Sequence, residues 1–356
     1  MIPILRYTLL AAVLANTGVS PAQSQSPMPS WQRVELASTD GTYPFAVYSN
    51  RPWRGDMQSV KAAVLVVHGV SRRGSNYYVT AEKLLAESGS NLGETLLLAP
   101  NFFAPPDAAK HRIDGMPLWD PRRSWSAGGD ASNWPHPLSA FDVIDAILLT
   151  LADRTRFPQL ARITLAGHSA GGQLVHRYAV LNALDEKLRA AGLALRYVVA
   201  NPSSYLYFTD ERPLASGFAA YNRAACVRFN TYRYGVESLP RYAGEANGSE
   251  LFKRYAARDV TYLLGTEDND PEHRDLDKSC AARAEGAHRL ERGRNYIRYE
   301  RHLAGAATHL NRLAYEVEGV GHQQSSMFGS KCGAHLLYGT PEEQNAAGAS
   351  CRAPHL

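Results

Sequence analysis

The sequence predicts an α/β fold with a mainly parallel β-sheet flanked by helices. Continuous apolar runs have the length of strands buried on both faces, and stretches with helical spacing of apolar residues separate several of them. Strand–helix–strand alternation builds parallel sheets with right-handed crossovers, whose ligands sit at the carboxyl ends of the strands. We therefore expect the chemistry of this chain in the loops that follow its strands.

The first residues have the composition of a secretory signal. Arg6 precedes a short apolar run at 8–14, and small residues stand at Ser20 and Ala22, the two positions that a signal peptidase inspects. The run is far shorter than the ~20 residues needed to cross a bilayer. We expect residues 1–22 to be a signal peptide, so that the mature protein is secreted or periplasmic and keeps no stable membrane anchor.

Composition sets further limits. The polar, proline-containing residues 23–30 predict a disordered leader, and one folded domain is expected over 31–356. A formal net charge of +4 is too small to indicate a nucleic-acid partner, and no basic run is interleaved with aromatic residues. Nothing in the composition indicates the oligomeric state.

The strands and helices follow from the apolar patterns. Two short strands before residue 50 predict an antiparallel pair at one edge of the sheet. The strands are predicted at 31–37, 43–48, 62–67, 94–101, 162–166, 196–200, 260–265 and 312–318. Four main helices are predicted. The first ends near residue 87, the second spans 138–154, the third follows residue 170, and the fourth spans 295–310.

The strand at 62–67 ends at His68-Gly69-Val70. Backbone N–H groups just past a strand are suited to hold a developing oxyanion. A His-Gly pair after such a strand is where this class of fold places one donor. We assign this donor to the Val70 N–H, with the Ala170 N–H as its partner, and expect His68 to be a packed, hydrogen-bonded side chain.

Residues 103–135 contain prolines, glycines and three tryptophans without a helical or alternating pattern. An ordered loop of this length in a compact domain is usually functional. Trp119 and Trp125 are therefore candidates for substrate contact, together with Tyr77 and Tyr205. The alternative for each of these aromatic residues is a packing role.

The stretch Gly167-His168-Ser169-Ala170-Gly171 follows a strand and precedes a helix, as a nucleophile elbow requires. The turn is so tight that side chains two residues on either side of the serine would collide, which explains Gly167 and Gly171. Ser169 would then project from the sheet beside the N–H groups and the positive dipole end of the following helix. We predict that Ser169 is a nucleophile.

Aromatic residues and arginines are mixed between 204 and 258, and no strong strand appears there. We interpret this stretch as an insertion over the carboxyl edge of the sheet, in the form of a small cap or lid.

A serine hydroxyl needs an imidazole to take its proton and a carboxylate to fix the imidazole tautomer. Asp268 follows the strand at 260–265, and His322 follows the last strand, so the chain order is serine, acid, histidine. Asp270 remains an alternative acid, and Asp275 and Asp277 follow it. His302 and His309 fall within the helix predicted at 295–310, where a solvated or packed role is expected.

Four cysteines fit an oxidising compartment. They form no Cys-x-x-Cys pair and stand near no histidine at metal-ligand spacing, so no metal site is expected. Two disulfides are predicted. The pairing Cys332–Cys351, which would fasten the C-terminal tail, with Cys226–Cys280 is favoured among three possibilities.

Taken together, Gly69 after one strand, the Gly167–Gly171 pentapeptide, Asp268 and His322 resemble the α/β-hydrolase superfamily over about residues 60–335. The resemblance implies an eight-stranded sheet, an acyl-serine intermediate and no cofactor. The expected export and disulfides make the chain similar to secreted esterases and lipases. It departs from lipases with a Gly-Gly-Gly-x oxyanion loop, because Val70 follows Gly69.

The function expected from these residues is hydrolysis of a small-molecule or polymeric carboxylic ester by a Ser-His-Asp triad. An amidase or peptidase would use the same triad, and a non-catalytic binding protein would keep only the fold. Matched ester and amide substrates distinguish these possibilities.

Overall fold

An eight-stranded sheet forms the centre of the protein in the computed structural model, which describes residues 29–111, 113–120, 124–339 and 351–356. The predicted signal peptide and nearly all of the predicted leader lie outside the described residues. The strand order is β1-β2-β4-β3-β5-β6-β9-β10. These strands are β1 Gln32–Ser38, β2 Gly41–Ser49, β3 Ala62–Val67, β4 Thr95–Pro100, β5 Arg162–His168, β6 Ala194–Ala200, β9 Asp259–Gly265 and β10 Arg312–Val317.

Strands β3 to β10 of this sheet run parallel to one another, and β1 and β2 are antiparallel at one edge. The predicted mainly parallel eight-stranded sheet and its antiparallel edge pair are therefore confirmed. The helices are α1 Gly74–Glu87, α2 Pro105–His111, α3 Ala140–Leu151, α4 Ala170–Leu181, α5 Asp185–Ala190, α6 Gly248–Ala256, α7 Cys280–Arg283, α8 Arg289–Ala304, α9 Gln324–Gly329 and α10 Lys331–Tyr338.

Alternating residues of the central strands feed two apolar layers. In β3, Leu65 and Val67 belong to the larger core cluster with residues of α3, α4 and α8, whereas Val64 and Val66 belong to the cluster with residues of α1 and α10. Both sets are buried, which explains why β3 is a continuous apolar run instead of an alternating one. The sheet is thus covered on both faces.

Two stretches contain helices or strands that the sequence pattern did not predict. The 103–135 stretch contains α2, whose start is held by the Ala104 N–H donating to the Asp107 carboxylate at 2.9 Å. The 204–258 segment contains a hairpin of β7 Glu211–Leu214 and β8 Gly217–Ala220, strands too short to leave a clear pattern. It also contains α6.

The helix predicted at 295–310 is α8, which lies six residues earlier. His288 caps it by accepting from the Glu291 N–H, and Gly305, at φ 54°, ends it. His302 is inside the helix, and His309 lies beyond it, so the prediction that His309 is helical was wrong. The sequence pattern missed the start because α8 begins with charged residues.

Two disulfides join distant segments. Cys226 in the 204–258 segment is bonded to Cys280 at the start of α7, and Cys332 in α10 is bonded to Cys351 near the C-terminus. This is the pairing favoured from the sequence. Among the described helices, none is long and apolar enough to cross a membrane.

Removing either disulfide should destabilise the protein according to the length of chain it closes. The Cys226–Cys280 bond spans 54 residues and the Cys332–Cys351 bond 19. Chain-entropy arguments then predict losses of about 4 and about 3 kcal/mol in unfolding free energy for the two double Cys→Ser variants. Urea unfolding measures both. Wild-type stability in either double variant would contradict the prediction.

Candidate active site

Ser169 lies on a sharp turn between β5 and α4. Its backbone has φ 60° and ψ −120°, a conformation that costs a non-glycine residue about 1–3 kcal/mol. The turn is held by the Ser169 N–H, which donates to the Ala200 carbonyl at the end of β6 (2.9 Å). The strained geometry points the serine out of the sheet at the carboxyl edge, where the sequence predicted it.

Glycines make this turn possible because a Cβ at these positions would collide with backbone atoms, which cannot move aside as a side chain can. A Cβ at Gly167 would lie 2.3 Å from the Gly171 carbonyl oxygen, and one at Gly171 would lie 2.3 Å from the Val67 oxygen. Gly172 is a third such residue, with the Ala200 oxygen 2.6 Å from its Cβ position. Sequence reasoning missed Gly172, although it follows the pentapeptide directly.

Two hydrogen bonds connect the side chains of Ser169, His322 and Asp268. The Ser169 Oγ and the His322 Nε2 are 2.9 Å apart, and the His322 Nδ1 and the Asp268 Oδ2 are 2.7 Å apart. Asp268 lies just after β9, and His322 follows β10, so three strand ends supply the chain of bonds. In this arrangement the imidazole can accept the serine proton while the carboxylate holds its other nitrogen.

The second oxygen of the Asp268 carboxylate is bound by Arg289, the first residue of α8. The guanidinium NH1 donates to Asp268 Oδ1 at 3.1 Å, and both side chains are almost fully buried. Sequence reasoning missed Arg289 because it placed the start of this helix at 295, beyond the arginine. The signal that could have found it is the His288 cap three residues before Glu291.

The surroundings of His322 and Asp268 favour a neutral imidazole and an ionised carboxylate. Burial lowers the pKa of His322 below its ordinary 6.5. The hydrogen bond that the imidazole donates to Asp268 acts to raise this pKa, and the positive charge of Arg289 acts to lower it further. Burial would raise the pKa of Asp268, but the hydrogen bond and charge of His322 and those of Arg289 outweigh it and hold the pKa below 3.8. His322 is thus poised as a base and Asp268 as an anion near neutral pH.

The loop after β3 lies directly beside Ser169. A Cβ at Gly69 would be 3.6 Å from the Ser169 Cβ and 2.7 Å from the Tyr77 hydroxyl, so a side chain here would have to displace that hydroxyl. His68 is buried, and its Nε2 accepts from the Phe102 N–H at 3.0 Å. The packed role expected for His68 matches this contact. Val70 is the next residue of this loop, and its N–H stays a predicted oxyanion donor.

The acidic alternatives point elsewhere. Asp270 is exposed and accepts from the Glu272 N–H at 2.8 Å, a local turn contact. Asp277 binds the Arg233 guanidinium at 2.8 Å. Among these acids, Asp268 is the one in contact with His322.

The four aromatic candidates for substrate contact are buried, and this part of the sequence interpretation is corrected. Trp119 and Trp125 pack around Phe102. The Trp125 ring is stacked on the Phe102 ring, with the ring centroids 5.4 Å apart. Tyr205 stacks on Tyr296 at 4.5 Å. The sequence does not show whether an aromatic residue in a loop faces the core or a substrate. Here these side chains bury their apolar surface in the core.

The fourth candidate, Tyr77, also packs inside. Its hydroxyl lies 3.3 Å from the His168 Nδ1, behind the Gly69 loop. It therefore packs against the loop beside Ser169.

Two solved structures resemble this chain along most of its length. Poly(aspartic acid) hydrolase-1 from Sphingomonas sp. KT-1 is 21% identical, with 84% of this chain and 96% of that chain covered and a TM-score of 0.56. The poly(3-hydroxybutyrate) depolymerase LpqC from Bordetella parapertussis is 22% identical, with 89% and 94% covered and a TM-score of 0.58. No family model and no curated protein matches the sequence. At these identities the likeness shows a common fold.

Adding a methyl group at the elbow should destabilise the protein. Gly171→Ala places a Cβ against two backbone oxygens of β3 and its loop, so we expect a loss of about 1–3 kcal/mol or more in unfolding free energy. Gly329→Ala, in α9 with nothing within 4 Å of its Cβ position, is the matched control and should change it by under about 0.5 kcal/mol. Thermal unfolding compares them. Equal midpoints for Gly171→Ala and the wild type would rule out the crowding described.

Proposed function

The chain has the α/β-hydrolase fold, and on that premise we propose that it is a serine hydrolase that cleaves carboxylic esters through an acyl-serine intermediate. Ser169 is the nucleophile, His322 the general base and Asp268 the acid that orients the base. The observation that carries this proposal is the pair of hydrogen bonds from Ser169 through His322 to Asp268, with the serine on a strained elbow.

The reaction follows from the position of each group. The Ser169 Oγ attacks the ester carbonyl carbon while its proton passes to the His322 Nε2. The imidazolium so formed donates to Asp268 from Nδ1 and gives its Nε2 proton to the leaving alcohol. Nε2 then takes a proton from a water molecule, which attacks the acyl-serine carbonyl carbon. The bond from this carbon to Oγ breaks, the acid is released, and the Nε2 proton returns to Oγ to restore the Ser169 hydroxyl.

The negative charge that develops on the substrate oxygen needs fixed donors. We assign them to the Val70 N–H and the Ala170 N–H. Val70 follows Gly69, whose Cβ position is 3.6 Å from the Ser169 Cβ, and Ala170 is the first residue of α4. Removing one donor from such a site costs on the order of 3–4 kcal/mol of transition-state stabilisation. The backbone here matters as much as the side chains.

The substrate class is tested with esters and amides together. One structural neighbour is a depolymerase of poly(3-hydroxybutyrate), a polyester, and the other is a hydrolase of poly(aspartic acid), a polyamide. An amide leaving group needs fuller protonation by His322 than an alcohol does. We propose the ester as the substrate and keep the amidase or peptidase as the competing outcome.

We also propose that the protein is exported to an oxidising compartment. Two disulfides in the folded chain support this, because such bonds persist outside reducing compartments. The signal sequence proposed at 1–22 supplies the route.

Replacing Ser169 tests the mechanism. A panel of chromogenic esters of different chain lengths, with matched amides, should show ester turnover by the wild type. Ser169→Ala should lose on the order of 10⁴-fold or more in kcat, because the covalent step disappears. Absence of turnover of any ester or amide by the wild type, or full activity of Ser169→Ala, would overturn the proposal.

The same assays separate the two candidate acids. Asp268→Asn should lower kcat by on the order of 10⁴-fold, because the wrong tautomer of His322 is then favoured. Asp270→Asn, two residues away and exposed, is the matched control and should behave like the wild type. Activity lost in Asp270→Asn and kept in Asp268→Asn would reverse the assignment.

The pH profile should report the His322 imidazole. Only its neutral form accepts the serine proton, so kcat/KM falls as the pH falls through the His322 pKa. Because burial lowers that pKa, the midpoint of the acid limb should lie below 6.5. Steady-state kinetics from pH 4 to pH 9 on a neutral ester measures it. A midpoint above 6.5 would contradict the environment described for His322.

Processing of the N-terminus checks the proposed export. Full-length protein expressed in a secreting bacterial host should be recovered from the periplasm or medium and begin at Gln23, after removal of residues 1–22. N-terminal sequencing gives the answer. A chain that keeps its first residues and stays in the cytoplasm would remove this proposal and leave the catalytic one standing.

A further inference from the structure

Arg289 stands out among the buried charges because its guanidinium contacts Asp268 and residues of the two loops that surround this carboxylate, the loop after β9 and the loop after β6. Its NH1 donates to Asp268 Oδ1 at 3.1 Å, its Nε donates to the Ser203 Oγ at 3.1 Å, and its NH2 lies 3.4 Å from the His273 Nδ1. The side chain is 1% exposed. A permanent cation thus lies on the far side of the carboxylate from His322.

We propose that Arg289 is a positioning residue of this site: it holds the Asp268 carboxylate in the orientation that His322 needs and keeps the His322 imidazole uncharged in the resting enzyme. The effect of Arg289 on kcat and kcat/KM rests on the proposed function. Its effect on the Asp268 orientation and on the charge of His322 concerns the resting protein alone. Arg289 contacts neither the serine nor the place of the substrate carbonyl, so it acts through Asp268.

The orientation is fixed at two points. Besides the guanidinium contact, the Leu290 N–H at the start of α8 donates to the Asp268 carbonyl oxygen at 3.1 Å. The helix therefore binds both the backbone and the side chain of the acid. Ser203, in the loop after β6, fixes the guanidinium in turn, so Asp268 cannot rotate its Oδ2 away from His322 without losing the ion pair.

The charge effect comes from the groups that face His322. They are Asp268 and His273 from the loop after β9, Arg289 from α8, and His168 from the end of β5, whose ring centroid is 4.7 Å from that of His322. Burial holds the pKa of His168 well below its ordinary value, so this neighbour is neutral. Arg289 carries the permanent positive charge among these described groups, and its field opposes protonation of His322.

The same helix offers a matched control. Arg292 is also buried, but its guanidinium donates to backbone carbonyls, those of Gly286, Ser203 and Asp277. It supports the same loops without touching the Asp268 carboxylate. A substitution at Arg292 therefore shows the effect of losing a buried guanidinium that holds these loops, without the loss of the contact to Asp268.

The experiment compares Arg289→Gln, Arg289→Lys and Arg292→Gln with the wild type in two measurements. The first is the acid limb of kcat/KM on a neutral ester. The second is a proton NMR titration of the His322 Nδ1–H in the resting protein, assigned by its loss in His322→Ala. Arg289→Gln keeps hydrogen-bond donors and removes the charge, so both midpoints should rise by about one pH unit, with KM little changed. Arg292→Gln should leave both midpoints at the wild-type pH.

Arg289→Lys separates charge from geometry and covers the case in which the glutamine variant does not fold. Lysine keeps the charge and lacks the fork that reaches Asp268 and Ser203 together. Its midpoints should stay at the wild-type pH, while kcat falls about tenfold because Asp268 is less firmly oriented. Unshifted midpoints in Arg289→Gln, an equal shift in Arg292→Gln, or wild-type kcat in Arg289→Lys would each overturn the inference.

The two proposals fail in distinguishable ways. Ester turnover by the wild type with unmoved midpoints in Arg289→Gln would remove the role of Arg289 and leave the serine hydrolase in place. A shifted NMR midpoint in a protein that turns over no ester or amide would remove the proposed function and leave the effect of Arg289 on His322.

Discussion

The tight turn at Ser169 is the constraint on which the rest of the site depends. Because Gly171 and Gly172 have no Cβ, α4 can start in direct contact with the backbones of β3 and β6, on either side of β5. Any side chain there would push the helix away from the sheet. The turn thus sets where Ser169 stands relative to the ends of three adjacent strands, β3, β5 and β6.

The neighbouring loops are held in register by Asn201, which follows β6. Its Oδ1 accepts from the Gly265 N–H at 2.9 Å, and its Nδ2 donates to the Gly321 carbonyl at 3.4 Å. One side chain therefore connects the strand end that precedes Asp268 with the loop that carries His322. Small displacements of these loops would lengthen both bonds of the chain, so the elbow and Asn201 together explain how residues far apart in sequence reach bonding distance.

Local patterns in the sequence were sufficient for the features that depend on neighbouring residues. The apolar runs marked the strands, and the residues just after them included Ser169, Asp268 and His322, which the structure brings together. Contacts that depend on packing could not be predicted in this way. Arg289 lies 21 residues from Asp268 on a helix whose first turn is charged, and the directions of Trp119 and Trp125 are decided by Phe102 across the core. A single sequence carries no information on such partners.

The central claim is that Ser169 is an activated nucleophile, and reaction with a fluorophosphonate tests it without any knowledge of the substrate. Intact-mass and peptide analysis should find one adduct per chain, on the peptide that contains Ser169, formed much more slowly in His322→Ala and at the wild-type rate in His302→Ala, a half-exposed histidine on α8. An unlabelled wild type, or an adduct on another residue, would contradict the account.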